Sequence, residues 1–185
     1  MMKTIKCILI GVTILGMVSC GNNTEQQSNQ VSKEIPRQHF VDAVKKYEGE
    51  MHTSMTLDPG LAVLGIKAYD DFVTHFPDDS LAPGFLFKAA EVATAISQYP
   101  QAFNYYQTIT TKYPNFKLAP ESLYMQAFLL DNFMNQDDKA KPIYEQVIAK
   151  YPTLPYANDA KAAISNLGKS DQELIKEFKA KNKKK

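Results

Sequence analysis

The sequence predicts an all-α fold, a right-handed solenoid of about four helix hairpins closed by a C-terminal capping helix, and three observations predict it. First, a tyrosine stands eight residues before a proline three times, in Tyr69 and Pro77, Tyr106 and Pro114, and Tyr144 and Pro152, with the prolines 37 and 38 residues apart. Each proline follows an aromatic residue (Phe76, Tyr113, Tyr151). A hydrophobic residue lies five before it (Phe72, Ile109, Val147), an alanine five after (Ala82, Ala119, Ala157) and a small residue twelve before (Gly65, Ala102, Ala140). Self-similarity at such a period marks an array of stacked units. Second, within one period the apolar residues Leu86, Ala89, Ala90, Ala93 and Ile96 recur largely at spacings of three and four, the helical period. Third, after the Ser97-Gln98-Tyr99-Pro100 break a second stripe of Ala102, Tyr106, Ile109 and Tyr113 runs to Pro114, where the ring and missing N–H stop a helix. Neither helix can bury its stripe alone, so the units must stack.

The elements follow in chain order. In residues 1–19, Lys3 and Lys6 precede an uncharged apolar stretch of twelve residues from Cys7 to Val18. That is short for a bilayer span and suited to a secretory signal. It ends in Met17-Val18-Ser19-Cys20-Gly21, which resembles a bacterial lipobox, with methionine where leucine is usual. The resemblance implies cleavage before Cys20, which becomes the first residue of the mature protein and carries lipid. Each buried methylene contributes about 0.8 kcal/mol, and two or more chains anchor stably where one does not. Cys7 would leave with the signal, so no disulfide framework is expected. Glycine rather than aspartate after the cysteine implies, by resemblance to enteric lipoproteins, retention at the outer membrane of a bacterial cell envelope. The polar remainder of residues 20–36 forms a flexible tether.

The repeat domain spans residues 37–168. Its first helix runs from Arg37 to about Ser54, with Phe40, Val41, Val44 and Tyr47 on one side. Asp58-Pro59 starts the next, as an N-cap followed by proline at the first helical position. Gly65 lowers local helix propensity by roughly 1 kcal/mol relative to alanine, so this helix is expected to start late or fray. Gly168 reads as a helix stop, and Ser170 with Glu173 as the capping box of a last helix in residues 169–185. Leu174, Ile175 and Phe178 would lay that helix over the end of the stack.

The second helix of each unit resembles that of the tetratricopeptide repeat, in which alanine is followed four residues later by a large aromatic and eight after that by proline. Ala102, Tyr106 and Pro114 match, as do Ala140, Tyr144 and Pro152, while Gly65 replaces the alanine of the first unit. Ala90 and Ala127 take the small-residue place of the first helices, the latter if one residue is inserted before Asn135-Gln136. The resemblance covers residues 37–168. The periods exceed the usual ~34, and with the Tyr-Pro…Ala joints this resembles the repeat lipoproteins and periplasmic proteins of Gram-negative envelopes, among them those of the β-barrel assembly machinery and the Tol-Pal system.

The resemblance implies a non-enzymatic adaptor that binds a protein or peptide partner on a concave face lined by first helices. By alignment that face carries Phe87, Glu91 and Thr94 in one unit and Tyr124, Phe128 and Asp131 in the next. Packing between adjacent first helices accounts for these positions equally well. On the groove reading, Phe87→Ala or Tyr124→Ala weakens partner binding and leaves the fold intact. A glycan or cell-wall binding module is the alternative, since exposed aromatics beside Asn and Asp suit sugars.

Charge divides the chain. The whole is +1, but residues 176–185 hold six lysines and one glutamate, and the segment from 21 to 175 is −6. The basic tail reads first as a solvated end and second as a site for anionic envelope surfaces. No nucleic-acid partner is expected of an exported chain. Nothing in the sequence assembles catalysis. His39, His52 and His75 lack metal-ligand spacing, and His39 and His52 on one helix would lie roughly 20 Å apart. No nucleophile elbow, P-loop or dinucleotide fingerprint is present. The acidic pairs Asp70-Asp71, Asp78-Asp79 and Asp137-Asp138 fall on helix faces or starts, where capping and the helix dipole explain them. No cofactor or metal is therefore expected.

Overall fold

A computed structural model describes residues 35–53 and 56–182, so the predicted signal, Cys20 and the tether up to residue 34 lie outside the described residues. Among the described residues all regular structure is helical: α1 Arg37–His52, α2 Pro59–His75, α3 Ala82–Ala95, α4 Tyr99–Lys112, α5 Ala119–Asn132, α6 Asp137–Lys150, α7 Pro155–Asn166 and α8 Asp171–Asn182. From α1 to α7 each helix packs chiefly on the next in sequence, and α7 also touches α5. This is the tetratricopeptide-like solenoid that the repeat predicts. None of the described helices is long and apolar enough to cross a membrane.

The periodic residues all meet at the joints between units. At the end of each second helix the N–H of the aromatic before proline (Phe76, Tyr113, Tyr151) donates to the carbonyl of the apolar residue four back (Phe72, Ile109, Val147), at 2.8, 2.9 and 2.9 Å. The aromatic's carbonyl then accepts from the residue three on (Asp79, Phe116, Leu154), whose carbonyl accepts from the alanine that opens the next unit (Ala82, Ala119, Ala157). All three alanines are fully buried, as are Phe72, Ile109 and Val147. A larger side chain at those alanines would push the units apart. The Tyr113 hydroxyl also donates to the Pro77 carbonyl at 2.7 Å, tying one joint to the next.

The turns inside the hairpins differ by one residue, as the alignment of Ala127 requires. Ser97 and Asn135 both hold the left-handed conformation, with φ of 62° and 50°. After Ser97 the Gln98 N–H returns to the Ala93 carbonyl, five back, which is a Schellman ending. After Asn135 the Gln136 N–H reaches Leu130, six back. The wider loop absorbs the insertion, and α5 and α6 keep their contact.

Two expectations need revising. α2 is continuous from Pro59, without fraying at Gly65: the Asp58 carboxylate accepts from the Leu61 N–H at 2.7 Å and fixes its start. Gly65 is buried against α1, where a Cβ would come within 2.8 Å of Met51 Cε. That atom is the far end of a flexible side chain, and the nearest atom of another α1 side chain, Tyr47 Cβ, would be in ordinary contact at 3.8 Å. The other revision concerns the cap. α8 has its predicted start, since the Ser170 N–H and hydroxyl both donate to Glu173 at 2.8 Å and Gly168 turns the chain at φ 73°. Yet Ile175 is 52% exposed, and the covering of α5 and α6 falls to α7. The side chain of Phe178 lies outside the described residues.

The core is two apolar clusters that meet at α5. Phe40 and Val44 of α1 begin the first, Tyr69, Phe72, Phe85 and Leu86 continue it, and Tyr106, Ile109 and Leu129 carry it into α5. Tyr144, Val147 and Ala160 extend the second to α7, with Phe103 packing on both. Among the described residues every buried side-chain polar atom has a hydrogen-bond partner.

Candidate functional site

The residues singled out in the sequence separate into two groups. Phe87, expected to stand open on the concave face, is 7% exposed, and its ring meets Tyr106 edge-on with centroids 5.6 Å apart. It belongs to the core, because α4 closes over it. Thr94 lies beside the Tyr106 hydroxyl and donates its own hydroxyl to the Ala90 carbonyl at 2.8 Å. Glu91 is exposed and borders a smaller hollow of about 300 Å³ with Glu48, Tyr69 and Lys88. There the Glu48 carboxylate accepts from both the Tyr69 hydroxyl (2.9 Å) and the Lys88 ammonium (2.7 Å), linking α1, α2 and α3. This first set therefore does not form one open surface.

The second set does. Tyr124, Phe128 and Asp131 rise from successive turns of α5, at spacings of four and three that place them on one face. They line a cleft of about 790 Å³ completed by the start of α6, by α7 and by the turn into α8. The cleft exists because α7 presents Ala162 and Ala163 on this side, too small to fill the space opposite two aromatic rings. The Tyr124 and Phe128 rings lie within 27° of parallel with centroids 6.1 Å apart, and Tyr124 also meets Tyr144 and Tyr156. Farther along, Phe128 meets Phe133 edge-on, and Phe133 stacks on Tyr99 at 4.4 Å. Five rings, from Tyr156 through Tyr124, Phe128 and Phe133 to Tyr99, thus form an unbroken chain.

Polar groups frame the rings. Asp131 accepts from the Tyr144 hydroxyl at 3.1 Å, so this cleft residue also satisfies one of the three repeat tyrosines. Asp137, Asp159, Asn132, Asn135 and Asn166 complete the rim. Burial pushes the Asp131 carboxyl up; the Tyr144 bond opposes this less strongly, and the neighbouring Asp137 adds to the rise. The Tyr124 hydroxyl is raised by burial and then by the charges of Asp159 and Asp131. Sequence reading missed these rim residues because they come from three elements. The signal that could have found them is the alanine run of α7, Ala157, Ala160, Ala162 and Ala163, which offers little bulk to whatever faces it.

The lining combines aromatic rings, carboxylates and amides. Among the described residues no three His, Cys, Asp or Glu side chains gather to hold a metal ion. Residues 85–115 and 121–153 each match the tetratricopeptide repeat family. The matched segments run from α3 to the end of α4 and from α5 to the end of α6, and so coincide with the second and third hairpins. Tetratricopeptide repeats are generally protein–protein interaction modules, and no catalytic family is indicated. No curated protein gives a match to the chain.

Proposed function

We propose that the protein is a lipid-anchored, non-enzymatic adaptor of the bacterial cell envelope that holds a protein or peptide partner in the α5–α7 cleft. Its setting is outer-membrane assembly or maintenance, with lipid on Cys20 as the anchor and residues 21–36 as the tether. The observation that carries the binding part is the cleft itself, where two half-buried aromatic rings stand unfilled on the first-helix face of a tetratricopeptide-like unit. A few aromatic anchors commonly dominate such interfaces. The lipobox resemblance at residues 17–21 supports the anchor. The test is affinity capture of the full-length protein from cross-linked native envelopes, with Tyr124→Ala and Cys20→Ser read alongside it. A recurrent partner lost with Tyr124→Ala is expected, and an unchanged capture would reject the cleft. Retention of the Cys20→Ser protein in the membrane fraction would reject the lipid anchor.

One observation favours a second reading. The amides of Asn132, Asn135 and Asn166 join Asp131 around the same rings, a chemistry that also suits the hydroxyls and flat faces of a glycan. Saccharide-dependent chemical shifts confined to this rim would favour the glycan module over the adaptor.

A further inference from the structure

The charge of the cleft says more about its occupant than its shape does. Three carboxylates, Asp131, Asp137 and Asp159, line it, and among the described residues none of them belongs to an ion pair. The one cation on the lining, Lys169, is paired with Glu177 at 2.8 Å. The other three described ion pairs all lie on α1, α2, α3 and the loop before α3. The acidic groups at the cleft thus stand around apolar rings without a basic partner, Asp137 lying at the start of α6. Ring faces attract cations, most strongly where water is thinned.

Resting on the reading of this cleft as a partner site, we propose that it receives a lysine or arginine side chain from a short basic segment of a partner protein. The Tyr124 and Phe128 faces take the alkyl stem and the charge passes to Asp131, Asp137 and Asp159. Like charges gathered in a concave, partly desolvated site focus a field that draws a cation and repels acidic peptides and phosphate-bearing lipids. A neutral sugar would leave three neighbouring carboxylates without a counter-charge. Lys176 and Lys179, at the start of the basic tail, lie on α8 and are not part of the cleft lining.

The test is fluorescence anisotropy of a labelled peptide alternating lysine and glycine, titrated with the full-length protein in neutral detergent. A peptide alternating glutamate and glycine is the matched probe. Asp131→Asn with Asp159→Asn keeps the acceptor for Tyr144 and removes two charges; Glu50→Gln with Glu145→Gln removes two from exposed positions elsewhere. Expected are binding of the lysine peptide alone, a tenfold or greater rise in Kd for the cleft pair, an unchanged Kd for the remote pair, and weakening by salt. Equal losses for both pairs, binding of the glutamate peptide, or no lysine-peptide binding at low salt would each overturn the proposal. Self-association that disappears when residues 176–185 are removed, with no peptide binding thereafter, would overturn it by making a second copy the occupant. If envelope capture still depends on Tyr124 while the peptide results fail, the cleft remains a partner site and only its basic ligand is lost.

Discussion

Phe87 and Tyr124 occupy matching places in successive units, yet one is core and the other lines the cleft. Position in the repeat fixes the helix face, but burial depends on what the neighbouring helices bring to it. Phe87 meets Tyr106 and α4, whereas Tyr124 looks across at the alanines of α7. Phe87→Ala should therefore cost about 3–5 kcal/mol by chemical denaturation, and Tyr124→Ala considerably less while abolishing partner capture; equal costs would contradict this division. A second prediction at this scale concerns pH. Arg37 grips Asp79 through two hydrogen bonds (2.6 and 3.0 Å), and Asp79 also accepts from the Leu81 N–H at 2.9 Å. The Arg37 bond first, then the Leu81 bond, hold its carboxyl below the usual range. Its contribution is present above the unfolded carboxylate pKa of about 4 and is lost as pH falls through the lower folded value. Asp70 and Asp131 have the opposite sign: burial raises both, so each adds stability when protonated, and that contribution disappears as pH rises through the raised values. The unfolding midpoint should rise slightly as pH falls through the raised carboxyl values of Asp70 and Asp131, and fall below about 4. Asp79→Asn should blunt the fall; an unaltered acid limb would show that the Arg37 contact contributes nothing.

At the scale of elements, what is local was legible and what is contributed from a distance was not. The Asp58 cap, the Ser170–Glu173 box, the Gly168 turn and the three proline stops are set by residues within one turn of each other, and all stand where the sequence puts them. The packing of α8 depends on surfaces contributed by α7, and there the amphipathic pattern of Leu174 and Ile175 overstated burial. The Gly65 expectation erred for a related reason: its propensity cost is local, while the packing of Met51 and Tyr47 against it comes from α1. Truncation after Gly168 should leave the denaturation midpoint within about 0.5 kcal/mol of the full chain, the usual range for changes away from the core. Truncation before Pro155 should destabilise it strongly, because α7 covers Tyr144 and Val147 with Ala160. A large loss from the shorter deletion would mean that α8 is a packed cap after all.

For the whole molecule, stability is distributed along a line, since each helix leans mainly on its sequence neighbours. Hydrogen exchange should be slowest in α3, α4 and α5, which have packed helices on both sides, and faster toward α1 and α8. Uniform protection from end to end would contradict nearest-neighbour behaviour. The fold was readable at this scale because the repeat states the same joint three times. The cleft was readable only in part, because it forms where the repetition stops and α7 presents alanines. The identity of those joints bears on descent as well as on stability. A segment running from one joint alanine to the next, such as Ala82 to Leu118, begins and ends on the same hydrogen-bonded pattern. Duplication of that stretch would insert one more hairpin and leave both flanking boundaries unchanged. The array could therefore lengthen by gene duplication in whole steps, gaining concave surface at its middle while the terminal cleft is inherited intact.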